Sequence, residues 1–183
     1  MKLKIKNARL SFPDLFTAVQ YQGTGPFSYR CTLLIPEGSA MRKEIDKAIN
    51  EVAKEKWAAK APDVLDKARK GKAGICFTDG NDREYDGYSD CWALTATKAQ
   101  DKGRPDIRDR DGVTPLAAED GKPYAGCYVN AVVDIWPQDN EFGKTVRCTL
   151  VGVQFAKDGE AFSANSVIEE GDFEAIEDDD TDI

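Results

Sequence analysis

At 183 residues, with 41% hydrophobic and 32% charged residues, the chain has the make-up of a single water-soluble domain. It contains no histidine, which excludes Ser-His-Asp and Cys-His catalysis, and its five cysteines include no CxxC pair, which argues against structural zinc. The formal net charge of -8 would argue against nucleic acid if it were spread evenly, but nine of the 33 acids lie in residues 169–183, which hold no base. Elsewhere 24 acids face 25 bases, so the body of the chain is close to neutral and the acidic block reads as a solvated tail. No apolar run reaches the length of a membrane span, and the opening MKLKIK alternates too strictly for a signal peptide, so a cytoplasmic protein is expected.

The stretch KLKIKNARLSF reads as a strand with Lys2, Lys4 and Lys6 on one face and Leu3 and Ile5 on the other. The apolar parity then moves to Ala8, Leu10 and Phe12, which predicts a bulge near Asn7. Pro13 is read as the end of this strand. Gly23-Thr24-Gly25-Pro26 is read as a loop, without the Gly-Lys-Ser/Thr ending of a phosphate-binding loop. Residues 27–35 alternate again, with Phe27, Tyr29, Cys31, Leu33 and Ile35 inward and Ser28, Arg30 and Thr32 outward. Ser39 is placed to cap a helix that carries Met41, Ile45, Ala48, Ile49, Val52 and Ala53 at three-to-four spacing, with Trp57 as a core anchor one turn on. Pro62 interrupts, and residues 63–70 form a second short helix followed by the bases Lys67, Arg69, Lys70 and Lys72.

A short strand is predicted over 75–78. In the turn-rich DGNDREYDGYSD that follows, Asp79, Asp82, Glu84, Asp86 and Asp90 miss the calcium-loop spacing, and no metal or cofactor is expected. Residues 89–98 read as a strand with Trp92 and Leu94 on one parity and Cys91, Ala93 and Thr95 on the other. In KAQDKGRPDIRDRDGVTPL the bases Lys98, Lys102, Arg104, Arg108 and Arg110 interleave with Asp101, Asp106, Asp109 and Asp111. That segment either meets phosphate or neutralises itself in local salt bridges.

The strongest local signal is a hairpin over 124–155, YAGCYVNAVVDIWPQDNEFGKTVRCTLVGVQF. Its first arm has Cys127, Val129, Ala131, Val133 and Ile135 on one face and Tyr128, Asn130, Val132, Asp134 and Trp136 on the other. A turn within 137–144 would set Ile135 against Val146, Val133 against Cys148, Ala131 against Leu150 and Asp134 against Arg147. Cys31, Cys127 and Cys148 fall on buried parities and read as small core hydrophobes. A last edge strand is expected over 161–168. These elements predict a mainly β (α+β) fold, a small closed or partly open barrel with an inserted helical segment and long loops; a five-stranded OB-type barrel is one member of that class.

Aromatic residues beside bases (Tyr128 and Trp136 near Arg147, Trp92 near Lys98, Tyr29 near Arg30) and the segregation of acid into a terminal tail suit single-stranded nucleic acid, which needs stacking rings and a cationic groove. Two alternatives stand beside this reading. One is a metal-dependent nuclease or recombination enzyme built on the carboxylates of 79–86. The other is an interaction or virion protein with no DNA role.

With KNARLSFPDLF, CFTDGNDREYDGYSDCWALTATKAQDKGRPDI, GKPYAGCYVNAVVDIW, GKTVRCTLVGVQFAKDGEAF and the acidic tail in that order, the chain resembles a phage single-stranded DNA-binding protein family. The resemblance implies an OB-fold core over 1–168, an interaction tail over 169–183, and sequence-independent binding of single-stranded DNA during phage replication or recombination, without catalysis. Lys4, Lys6, Arg9, Arg30, Lys98, Arg104, Arg108 and Arg147 are the candidate phosphate contacts, and Trp92, Tyr128 and Trp136 the candidate stacking rings. The tail, with Phe173, Asp178, Asp179, Asp180, Asp182 and Ile183, would recruit replication or recombination proteins and compete with DNA; a homodimer is possible. Many such tails end in a docking aromatic residue, whereas this one ends in Ile183 and has its one aromatic at Phe173.

Overall fold

The computed structural model describes residues 1–72 and 74–162. Among these, strands β1 (Lys2–Tyr21), β2 (Thr24–Pro36), β3 (Phe77–Asp79), β4 (Cys91–Ala99), β5 (Asp106–Arg108), β6 (Tyr128–Asn140) and β7 (Gly143–Lys157) accompany helices α1 (Ala40–Trp57) and α2 (Ala61–Lys70). Five strands close a circuit. β1 pairs antiparallel with β2 and β6, β2 with β4, β6 with β7, and a parallel contact between β4 and β7 at Thr97 and Thr149 shuts the barrel. β3 lies outside the circuit on β4, and β5 lies parallel on β7. The order β1-β2-β4-β7-β6 is that of a five-stranded OB-type barrel, the fold that the resemblance implies.

The period of two decides what fills it. Ile5, Leu10, Leu33, Ile35, Leu94, Val133, Ile135 and Leu150 are essentially inaccessible, each worth about 1.5–3 kcal/mol of burial. The long β1 serves both neighbours because it bends twice. Asn7 (φ 53°) marks the expected bulge, and its N–H donates to the Asn130 side chain. Phe12 (φ 45°) marks a second, where the register slips between Ser11 and Asp14. Pro13 sits in that slip, where its missing N–H removes no ladder bond, so the strand runs on to Tyr21 instead of ending there. Ser39 caps α1 by accepting from the Arg42 N–H, and the helix buries Ile45, Ala48, Ile49, Val52, Ala53 and Trp57. It packs against β6, and Trp57 donates its indole N–H to Asp139 at 3.1 Å.

Several boundaries and one register differ from expectation. β3 and β4 each begin two residues later than predicted. The β6–β7 hairpin keeps its predicted faces but is offset by two: Ile135 faces Cys148, Val133 faces Leu150 and Asp134 faces Thr149, while Trp136 faces Arg147. The ladder passes through Pro137 and closes on a two-residue turn, Glu141-Phe142, and β7 carries bulges that move Ala131 opposite Val153. Asp134 pairs with the Met1 amino group at 2.8 Å, not with Arg147. Phe27, placed inward by parity, is exposed because β2 there has left the barrel wall for the β1–β2 hairpin. Cys31, Cys127 and Cys148 are buried as expected, and burial pushes the Cys31 and Cys76 thiols up to about 12. Ala161 and Phe162 are not strand; the rest of the expected edge strand and the acidic tail lie outside the described residues.

Candidate nucleic-acid interface

The outward side chains of β2, β4 and β7 form one strip. Arg30 on β2 pairs in register with Thr97 on β4, and Thr97 with Thr149 on β7. Thr149 Oγ1 accepts a 3.0 Å bond from the Trp136 indole N–H, and Trp136 stands opposite Arg147. The register offset therefore leaves Arg147 beside a ring; its Nε–H reaches only the Gln138 amide oxygen at 3.4 Å. Trp136 is 38% exposed. Arg30 stacks on Tyr21 at 4.9 Å and neighbours Asp14, whose carboxyl is raised by burial, an effect that Arg30 partly offsets.

Two hairpins border this strip. The β1–β2 hairpin turns on Gln22 and Gly23, both at positive φ, and presents Tyr21 at 60% exposure with Phe27 beside it. The β6–β7 hairpin presents Phe142 at 77% exposure. Further along the outward face of β1, Phe12 at 52% exposure meets Tyr85 edge-on at 4.9 Å, and Tyr85 meets Tyr88, whose hydroxyl bonds Ser11. Lys98 and Arg104 come together near the β1–β2 hairpin: the Lys98 ammonium donates to the Arg104 carbonyl at 3.4 Å, and the Arg104 guanidinium lies 5.6 Å over Phe16.

Other candidates are placed elsewhere. Trp92 stands apart from the strip: it shares the inward row of Leu94 and Ala96, packs on Phe77 at 5.2 Å, lies under the Arg42 guanidinium and donates to Glu37. It is six residues from Lys98, about 20 Å along an extended strand. Tyr128 is outward, but eight residues from Trp136 on β6, about 26 Å, so the two rings make no common platform. Lys157 covers its ring at 4.6 Å. Arg9 donates to the carbonyls of Gly126 and Glu160 and stacks on Phe162 at 4.2 Å, which fastens the segment after β7 across the barrel. Lys4, Lys6 and Arg108 line a separate groove over β1, β6, β7 and β5. The carboxylates of 79–90 act locally, Asp79 accepting from the Asn81 N–H, and among the described residues no three acids or cysteines gather.

Parity missed Phe12, Tyr21, Tyr85, Phe27 and Phe142, which lie at a bulge, at the open end of the β1–β2 hairpin or in turns and loops, where alternation does not report the barrel wall. The one available signal was a large aromatic residue within two positions of Gly, Asn or Pro, which a core does not require.

The whole chain, residues 1–183, matches the family described as "Enterobacter phage Enc34, ssDNA-binding protein". The chain belongs to this family. One relative, putative protein p50 of Acyrthosiphon pisum secondary endosymbiont phage 1, is 41% identical over 178 residues, 96% of this chain and 94% of that protein. Among solved structures, a C-terminal truncation of the single-stranded DNA-binding protein from bacteriophage Enc34 is 28% identical, with a TM-score of 0.69 over 88% of each chain. That protein in complex with single-stranded DNA gives 24% and 0.68 over 88% of this chain and 89% of that one. Bacteriophage T7 gp2.5, described as a single-stranded DNA-binding protein, gives 14% and 0.57 over 96% and 99%, a likeness of fold. This member of the Enc34 family thus has the barrel of its relatives, with α1 and α2 inserted between the second and third barrel strands.

Proposed function

We propose that the chain binds single-stranded DNA without sequence preference across the outward strip of β2, β4 and β7. The observation that carries this is the row Arg30, Thr97, Thr149 leading to Trp136 and Arg147, with exposed rings at both bordering hairpins. Cations meet phosphate, hydroxyls meet sugar or phosphate oxygens, and rings meet the flat faces that every base possesses, so nothing in the row demands one base over another. Family membership and the likeness to a solved complex with single-stranded DNA support the same reading.

The mechanism is binding without chemistry: stacking contributes about 1–3 kcal/mol per base, and each phosphate contact releases counterions. Its role is to cover single strands during phage replication or recombination in the host cytoplasm, with residues 1–168 as the binding domain. Residues 169–183 compete for the same strip and recruit replication or recombination proteins. Competition is supported by the attachment of Phe162, the last described residue, which packs against Leu34, Ala93 and Tyr88 on the outward side of β2 and β4. No helix among the described residues is long and apolar enough to cross a membrane.

The test is a titration with oligothymidylate followed by tryptophan fluorescence. Trp57 and Trp92 are packed and Trp136 is open, so quenching should vanish in Trp136→Phe while weakened binding persists by anisotropy. Full quenching in that variant, or no binding to single strands at low salt, would overturn the proposal. Incubation of the labelled strand with magnesium or manganese should leave it intact; cleavage would return the nuclease reading.

A further inference from the structure

The groove that holds Lys4 and Lys6 lies outside the strip just described. Two rows of residues cross it in register. In one, Lys4 on β1, Val132 on β6, Gly152 on β7 and Asp106 on β5 stand side by side; in the other, Asn130, Gln154 and Arg108 do, beyond Lys6. The floor at Val132 and Gly152 is flat. A side chain at 152 would put its Cβ 3.0 Å from the Asp106 carbonyl oxygen, so glycine lets β5 dock there and form the far wall. The Asn130 amide donates to the Gln154 amide oxygen at 3.1 Å and its own oxygen accepts from the Asn7 N–H, while Gln154 donates to the Arg110 carbonyl, so both amides are engaged within the protein.

The walls carry the charge. Lys4 and Lys6 are exposed on one side and make no ion pair among the described residues; on the other side Arg108 pairs with Asp106 at 2.8 Å. Two net positive charges among Lys4, Lys6, Arg108 and Asp106 thus face a floor of Val132, Gly152 and the Asn130–Gln154 amide pair with no aromatic ring, a setting suited to phosphates rather than bases. The groove is continuous with the strip because the same β6–β7 ladder floors both. Val132 lies four residues from Trp136, about 13 Å along the strand. The one acid on the outward face between them is Asp134, and the Met1 amino group holds it at 2.8 Å.

We infer that this groove is a second DNA site, a phosphate track that takes the single strand onward after it leaves Trp136 and Arg147. The inference rests on the reading given under Proposed function. It makes the strand's path turn with the barrel, with stacking on the first segment and backbone contact alone on the second.

The test compares Lys4→Gln/Lys6→Gln with a charge-matched control, Lys54→Gln/Lys56→Gln on exposed α1 positions, using oligothymidylates of about 6 and about 16 nucleotides. Each protein is measured with and without residues 169–183. Expected is unchanged affinity for the short strand and about tenfold weaker binding of the long one, with the salt slope for the long strand lower by about 1.4, the value for two single-strand phosphate contacts. The control should match wild type on both lengths. Equal loss on both lengths, or none on the long one, overturns the second site while the strip stands. Loss on both lengths that disappears when residues 169–183 are removed overturns it in favour of the acidic tail as occupant. If wild type binds neither length, the underlying reading fails instead.

Discussion

The two outward surfaces of the barrel are built from the same kind of strand but differ in what they expose. The strip over β2, β4 and β7 has Trp136 open on the ladder and Tyr21 and Phe142 at its borders, with arginines next to rings. The groove over β1, β6, β7 and β5 has no ring, and with Arg108 paired to Asp106 its cations without an ion pair among the described residues are the lysines Lys4 and Lys6. The difference follows from chemistry: a guanidinium can stack and bond in one plane, whereas an ammonium on a long stem is a mobile point charge. A surface of the first kind orders bases, and one of the second holds a backbone. Their separation teaches that a list of cationic and aromatic positions does not define a site until the strand order is known.

The largest effect should come from removing a ring and a cation together. Trp136→Ala with Arg30→Ala is expected to weaken short-oligonucleotide binding about a hundredfold by anisotropy, from about 1–3 kcal/mol of stacking plus one phosphate contact. If that double variant spared short strands, the division of labour between the surfaces would collapse. Deleting residues 169–183 should tighten binding about tenfold at low salt and hardly at all near 1 M salt, because screening shortens the reach of the tail's charge. Gly152→Val should displace β5 and weaken long strands alone, with a few-fold loss; an equal loss on short strands would show that the surfaces are mechanically coupled.

The smallest effect concerns Asp14. Its carboxyl is raised by burial beside Arg30, so it takes up a proton at higher pH than an ordinary exposed acid. Its charge is present above that raised value and lost as pH falls through it, and the loss frees Arg30 for phosphate. Affinity for short strands should therefore rise about twofold on acidification toward the carboxylate range, and Asp14→Asn should show the tighter value at neutral pH with no such rise.

Alternation in sequence was enough to find the inward rows of β6 and β7 and, apart from Phe12 and Phe27, those of β1 and β2, together with the Asn7 bulge and the Ser39 cap, because each is set by nearest neighbours along the chain. It was not enough for the partner of Asp134. Parity survives a slip of two residues, so the faces of the hairpin came out right while its pairs did not. Trp92 shows the same limit: its parity with Leu94 was readable, but that this parity pointed under α1 depended on where a helix 50 residues earlier in the chain returned to pack. Arg9 read as a phosphate contact because its charge was visible, and the carbonyls of Gly126 and Glu160 that engage it were not.

The fastening of Phe162 under Arg9 has a kinetic meaning. A segment tied at the edge of a surface meets it at an effective concentration fixed by tether length, not by how much protein is present. Competition from residues 169–183 would then be the same in dilute and crowded solution, and dilution could not relieve it. Only something that captures those residues, or salt that screens them, would open the strip. A protein that binds the tail would thereby load the barrel onto DNA at the place where that protein is working.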